Sequence, residues 1–396
     1  MGYNTAAMAL ELEDKIDLLA EGASFDLCNS RPGGEPVQKQ TGGRDWRRWI
    51  YPAVLPGGRT TRLFKVLLTN ACENNCLYCA SRRDSNCART SFRPEELANL
   101  FLQLQQRGRA SGLFLSSGLA GGGNRTMERM LAAAEIVRRR GFRGYIHLKI
   151  LPGAERAAIE RAIQLADRVS VNLEAPGPDR LQRLSAEKRY DNLEQALRAA
   201  AGLREVQGGA PAGITTQFVV GAAGESDAEL LGCSSRLYGD MSLARAYYSG
   251  FRPLAGTPLA EQAPTPASRE VRLYQADFLL RAYGYEAREL VVDAAGNLPL
   301  QKDPKQAWAD AHPESFPIEV NKADRAFLLR VPGVGPQGTQ RILAARRECT
   351  LRSLDQLRAL GIATGQAAPY VLLDGRRPER PYPRQLALWE SLPAEV

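Results

Sequence analysis

The sequence predicts an α/β protein: an open or partial (βα)6 barrel followed by a small all-α C-terminal domain. Three observations carry this expectation. Six short apolar runs alternate with stretches of helical spacing between Leu63 and Phe251, an order that implies a parallel sheet with right-handed crossovers. Six units are too few for a closed eightfold barrel. The 396 residues are 44 % apolar and 24 % charged, enough to bury a large core and to divide into two or three domains.

In chain order, residues 4–20 have amphipathic helical spacing, with Met8, Leu12, Ile16 and Leu19 on one face. Residues 28–60 are rich in Gly, Pro and Arg without a period, so 1–60 is expected to be an N-terminal helix and covering segment. The barrel is expected over 61–284, with strands at Leu63–Thr69, Gly112–Leu119, Gly144–Leu151, Arg168–Leu173, Thr215–Gly221 and Arg245–Phe251. Between them Leu97, Leu100, Phe101 and Leu104, then Met127, Met130, Leu131 and Ala134, recur at helical spacing. A further helix is expected at Arg269–Tyr283. Residues 285–320, with Pro299, Pro304, Pro313 and Pro317, read as an irregular connector, and a helical domain as 321–396.

Lys and Arg total 52 against 44 Asp and Glu, a net charge of +8. Residues 321–396 carry +5 of it, from twelve basic and seven acidic residues. No run approaches the roughly 18 apolar residues of a membrane span. Glu11, Glu13, Asp14 and Asp17 make the N-terminus too acidic for a secretory signal. A soluble, cytoplasmic protein is expected, with no membrane partner. The two histidines, His147 and His312, leave no His-rich metal site and disfavour a Ser-His-Asp mechanism. Any catalysis must come mostly from cysteine, carboxylate or a cofactor.

The strongest signal is Cys72-Glu73-Asn74-Asn75-Cys76-Leu77-Tyr78-Cys79, a C-x3-C-x2-C arrangement after the first expected strand. Three thiolates on one short loop can each take one iron of a [4Fe–4S] cubane, leaving the fourth iron open. Structural zinc with Cys87 as fourth ligand is the competing arrangement. Cys28, Cys87, Cys233 and Cys349 show no second cluster spacing and are expected as small buried hydrophobes.

The triplet resembles the signature of the radical S-adenosylmethionine (SAM) superfamily, C-x3-C-x-aromatic-C, with Tyr78 in the aromatic place beside the adenine. The resemblance implies a partial (βα)6 barrel, a [4Fe–4S] cluster whose open iron is chelated by SAM, and an external electron donor. Reductive cleavage of the sulfonium then gives methionine and a 5′-deoxyadenosyl radical. Carried over residue by residue, it places Ser116 and Ser117 at the SAM amine, where the family's Gly-Gly-Glu-like turn is replaced. Lys149 falls at the methionine carboxylate, Asn172 and Glu174 at the ribose hydroxyls and amine, and Gly221 beside the adenine.

A second constellation, Leu328–Gly335 followed by the helical run Thr339–Arg347, has the helix-hairpin-helix pattern. The amides of Gly333, Val334 and Gly335 are expected to point outward at a helix N-terminus, where phosphate is favoured. Arg341, Arg346 and Arg347 add positive charge toward DNA. Leu354, Leu357 and Leu360-Gly361-Ile362 resemble a second, degenerate half of the module. Tyr247, Tyr248 and Phe251 are candidates either to stack on a base or to fill the core.

Both constellations together resemble the DNA modification/repair radical SAM proteins that end in a helix-hairpin-helix. Further shared segments are Gly144–Lys149, Tyr247-Tyr248-Ser249, Arg272–Asp277 and Asp303-Pro304-Lys305. The resemblance implies a radical SAM enzyme acting on DNA. The alternatives are a radical SAM enzyme acting on RNA and a non-catalytic Fe–S redox-sensing DNA-binding protein.

Overall fold

The structure, a computed structural model, describes residues 12–24, 49–54, 58 and 60–378. These fall into two compact units, one within Met1–Asp277 and Val292–Leu300, the other within Phe278–Val291 and Gln301–Val396.

The first unit holds a seven-stranded sheet in sequence order: β1 (Ile50–Val54), β2 (Thr60–Leu67), β3 (Gly112–Ser116), β4 (Tyr145–Lys149), β5 (Arg168–Ser170), β6 (Ile214–Val220) and β7 (Arg245–Gly250). Strands β2 to β7 are the six expected ones, all parallel. Helices α1 (Leu12–Ala23), α2 (Pro94–Gln106), α3 (Gly123–Arg139), α4 (Arg156–Leu165), α5 (Pro178–Gln182), α6 (Tyr190–Gln207), α7 (Asp227–Met241) and α8 (Ala267–Phe278) complete the unit's elements. Strands buried on both faces read as continuous apolar runs, and β6 is buried at every residue. The expected helical spacings are the buried faces of α2 and α3: Leu97, Leu100 and Phe101, then Met127, Met130, Leu131 and Ala134.

Three expectations for this unit need correction. Strand β1 lies in the segment expected as loop, pairing antiparallel with β2. It is an edge strand, where Pro52 is tolerated because its missing N–H faces no partner. Helix α1 buries Leu19 fully but leaves Leu12 44 % exposed, while Met8 lies outside the described residues. The helix expected to Tyr283 is α-helical only to Phe278, continues as a π turn over Leu279–Tyr283, and ends at Gly284 with φ +74°.

The second unit contains α9 (Pro304–Ala311), α10 (Arg325–Arg330), α11 (Pro336–Glu348), α12 (Leu354–Ala359) and α13 (Thr364–Ala367). It is not all-α. A two-residue parallel ladder joins β8 (Ile318–Glu319) to β9 (Val371–Leu372). Leu328, Val331, Val334, Ile342, Leu357, Ile362 and Val371 belong to its core. The stretch read as an irregular connector holds α9, started by Asp303, whose carboxylate accepts from the amides of Lys305 (2.9 Å) and Gln306 (3.3 Å) ahead of Pro304 at the first helical position. That is a strong N-terminal signal which the surrounding prolines obscured. No described helix is long and apolar enough to cross a membrane.

Lys305 is buried in this unit. Its Nζ donates to the Val334 carbonyl at 2.5 Å and sits 4.6 Å from the Tyr283 ring centroid. Burial pushes its pKa down to about 7, with Asp303 opposing the fall and Arg330 adding to it. An unfolded lysine titrates near ~10.4, so between these values the unfolded chain binds more protons. Stability of this unit is therefore expected to rise as pH increases from about 7 toward ~10. Melting curves of the wild type and Lys305→Met across that range check this. The variant's pH profile should be flatter, and parallel profiles would refute the assignment.

Candidate functional site

The residues singled out for cluster and SAM gather at one end of the parallel sheet. The cysteine loop follows β2, Ser116 and Ser117 end β3, Lys149 ends β4, Asn172 and Glu174 follow β5, and Gly221 follows β6. The C-terminal ends of parallel strands are where α/β proteins build sites.

The cysteine loop runs from 68 to 93 and is tied at its neck. The Asn70 side chain donates to Ala88 O (2.8 Å) and accepts from the Thr90 amide (2.8 Å), and Thr69 bridges Ser91. Inside the loop one guanidinium holds four carbonyls. Arg89 Nη1 donates to Asn70 O (2.6 Å) and Ser81 O (2.9 Å), and Nη2 to Arg82 O (2.5 Å) and Ser85 O (3.1 Å). Sequence reasoning missed Arg89, and nothing local marks it among the chain's many arginines.

Cys76 is buried, with Cys72 and Cys79 partly exposed. The Cys76 thiol donates to Ser185 Oγ at 3.4 Å, and Cys72 Sγ accepts from the Leu119 amide at 3.5 Å. Burial, then the neighbouring Cys76, pushes the Cys79 thiol up to about 12. The turn after β3 presses directly on this loop. A Cβ at Gly118 would stand 2.4 Å from Ala71 O and 3.3 Å from Cys72 Cβ, so only glycine fits there. Glu73 reaches across to accept from the Gly121 amide at 2.6 Å and the Gly122 amide at 3.3 Å, which ties that turn to the loop.

Beside the cysteines lies a buried polar group. Lys188 Nζ donates to Glu174 Oε1 at 2.9 Å and to Tyr78 OH at 3.3 Å, with the Lys188 and Glu174 side chains 10 % and 5 % exposed. Burial opposes the ammonium, but Cys76, Glu174 and Tyr78 outweigh it and raise its pKa well above the ordinary lysine value. Burial and then Glu174 likewise push the Tyr78 phenol upward. Glu174 adopts φ +65°, a strained conformation for a residue with a side chain. It is held there because its amide donates to Gln217 O (2.9 Å) and its carbonyl accepts from Val219 N (2.8 Å). Lys188 was not anticipated. Its partners are 14 and 110 residues away.

The other expected residues are placed as follows. Ser116 and Asn172 are buried, and Lys149 stands opposite Ser170 in the β4–β5 register. The Ser117 hydroxyl is buried without a partner. Gly221 makes a tight turn at φ +90°. Its amide donates to the Glu225 carboxylate and its carbonyl accepts from Gln262 Nε2 at 2.9 Å, so its backbone polar groups are already occupied. Tyr247, Tyr248 and Phe251 are all core: Tyr247 OH accepts from Arg168 Nη1 (3.2 Å) and Tyr248 OH pairs with Ser234 Oγ (2.7 Å). Of the remaining cysteines, Cys233 is buried, Cys87 half-buried and Cys349 exposed at the end of α11, a correction to the buried expectation. Cys28 lies outside the described residues.

In the second unit the Val334 amide donates inward to Val331 O at 3.1 Å and its side chain is buried, contrary to the outward amide expected. The tight turn closes on itself there, while the Gly333 and Gly335 amides make no hydrogen bond among the described residues. Gly333 is required: it sits at φ +80°, and a Cβ would stand 2.6 Å from Ala363 O. Arg346 is half-buried and donates to Val320 O (3.0 Å) and Ala323 O (2.6 Å), so its guanidinium caps a turn of its own unit instead of facing outward. Arg341 donates to Leu360 O at 3.1 Å, and Arg347 is exposed.

Three thiolates on one short loop are the donor set of a cubane that keeps one iron open. Among the described residues no three His, Cys, Asp or Glu side chains converge to hold one metal ion. At the end of β3 the Ser117 hydroxyl is a buried polar atom left unsatisfied by the protein itself.

A model of the radical SAM superfamily matches residues 66–233. No curated protein matches the chain. Among solved structures it is similar to the FeFe-hydrogenase maturase HydG from Carboxydothermus hydrogenoformans, at 14 % identity and TM-score 0.45 over 54 % of this chain and 50 % of that one. It is also similar to methylornithine synthase PylB, at 16 % identity and TM-score 0.44 over 54 % and 60 %. A third is the cobalamin-dependent S-adenosylmethionine radical enzyme OxsB with aqua-cobalamin bound, at 10 % identity and TM-score 0.35 over 75 % and 51 %. The chain thus spans half to three-fifths of the length of these proteins. The superfamily uses a [4Fe–4S] cluster and S-adenosylmethionine. Residues 66–233 of this chain are a radical SAM superfamily domain.

Proposed function

We propose that the protein is a radical SAM enzyme acting on DNA, with Cys72, Cys76 and Cys79 holding a [4Fe–4S] cluster. The observation that carries the enzymatic reading is the three-thiol loop, clamped by Arg89 and Gly118 at the C-terminal ends of six parallel strands. When bound, cluster and SAM supply one-electron cleavage of a sulfonium bond, with the electron from an external donor. The chain's own residues do the holding. Ser117 offers its unsatisfied hydroxyl to the SAM amine, Lys149 its ammonium to the methionine carboxylate, and Asn172 hydrogen bonds to the ribose. Lys188 fixes Glu174 and Tyr78 as one polar wall beside the cysteines.

DNA as substrate is supported by the second unit. The Gly333 and Gly335 amides at the start of α11, with exposed Arg347 and Arg341, form a helix-hairpin-helix-like anion site. A base would have to leave the stack to reach the strand ends, at a cost of a few kcal/mol. RNA is the second candidate substrate, because backbone contacts of this kind discriminate poorly. Anaerobic reconstitution, dithionite and SAM are expected to give 5′-deoxyadenosine from wild type and none from Cys76→Ala, with DNA affinity nearly equal in the two. Absence of 5′-deoxyadenosine from the cluster-loaded wild type refutes the enzyme. A cysteine-dependent DNA affinity would instead favour a non-catalytic redox sensor.

A further inference from the structure

The first unit carries a basic groove at the end of the sheet opposite the cysteine loop, and nothing in the proposed chemistry uses it. Its volume is about 710 Å³, and it lies where the α2–β3 turn (107–111) and α3–β4 turn (140–144) meet the start of β2. Arg62, Arg140 and Arg143 line it with Asn99, Gln103 and Gln106, and no Asp or Glu does. Arg107, Arg109 and Arg139 flank it, and all six arginines are exposed. Asp167, at the same end of the sheet, is already held by Arg138 Nη2 (2.8 Å) and the Ile146 amide (2.8 Å).

Helix dipoles explain part of this charge. The C-terminal ends of α2 and α3 attract cations, which accounts for Arg107, Arg139 and Arg140. It does not account for Arg62, on a strand, or Arg143, beyond the helix. Arg140 bonds the Asn99 side-chain oxygen, so guanidinium forks and neutral amides line the groove together. Forks and amides are the donor set that phosphate oxygens accept. An acidic peptide would meet the same charge. A lining that joins three cations to neutral amides with no carboxylate favours a phosphate backbone over isolated carboxylates.

We propose that this groove binds the phosphate backbone of nucleic acid, a contact additional to the α10–α11 hairpin and without sequence readout. The proposal rests on the reading of DNA as substrate. The test measures affinity of the full-length, cluster-loaded protein for a short DNA duplex over a salt series. One variant carries Arg107→Ala, Arg140→Ala and Arg143→Ala, another Arg341→Ala and Arg347→Ala. The groove variant is expected to bind about tenfold or more weakly, with the slope of log K against log salt reduced by about 2 to 3. Its melting temperature and DNA-independent SAM cleavage should match wild type. If only the hairpin variant weakens, the groove proposal fails and the DNA reading stands. If only the groove variant weakens, the groove stands and the hairpin assignment fails. No duplex binding by wild type overturns both, and an acidic peptide competing where duplex does not bind would reassign the groove to a protein partner.

Discussion

Arg89→Met is expected to lose most of its iron after reconstitution while the barrel stays folded. The guanidinium satisfies four carbonyls, of Asn70, Ser81, Arg82 and Ser85, which together span the cysteine triplet. Hydrogen bonds to a charged group contribute about 1.5 to 3 kcal/mol each, so losing the set costs the loop several kcal/mol locally. The sheet and its helices do not depend on that residue for their core, since the buried apolar set lies elsewhere. Arg89→Lys should be intermediate, because an ammonium has three donors and no planar fork. The readouts are iron and sulfide per chain beside the far-ultraviolet dichroism. Wild-type iron content in the Met variant would show that the neck at Asn70 and Thr90 alone shapes the loop.

What could be read from the sequence follows from how local each signal is. Strand β3, for example, appears as a short apolar run because both of its faces are buried. The cysteine triplet is equally local, its spacing complete within eight residues. Strand β1 escaped because Pro52 interrupts its short apolar run within a Gly-, Pro- and Arg-rich stretch, and proline argues against a strand except at an edge. The outward Val334 amide was wrong because a hairpin's closing bond depends on the turn geometry, which residue types alone leave open. Arg346 was misassigned for a related reason: its charge is visible in the sequence, but the Val320 and Ala323 carbonyls it caps are brought near only by the fold. Arg89 and Lys188 are in the same position, and so is the strained backbone of Glu174, which exists only because β5 and β6 pair around it.

The Lys188–Glu174 pair separates a structural from a cofactor-holding role. Both side chains are nearly buried, so Lys188→Met leaves an uncompensated carboxylate beside Tyr78. Removing one partner of such a pair costs about 3 to 5 kcal/mol, whereas replacing both by neutral groups is often tolerated. Lys188→Met alone is therefore expected to lower the melting temperature markedly, and the double variant Lys188→Met/Glu174→Gln to recover most of it. If Glu174 also holds SAM, the double variant keeps its cluster and its fold yet binds SAM at least about tenfold more weakly, a loss of roughly 1.4 kcal/mol. Differential scanning fluorimetry and equilibrium binding of SAM to the reconstituted protein read the two effects independently. Recovery of both stability and SAM affinity in the double variant would leave the pair a structural strut. Recovery of stability alone would place the Glu174 carboxylate in the SAM site, with Lys188 as the residue that holds it in position.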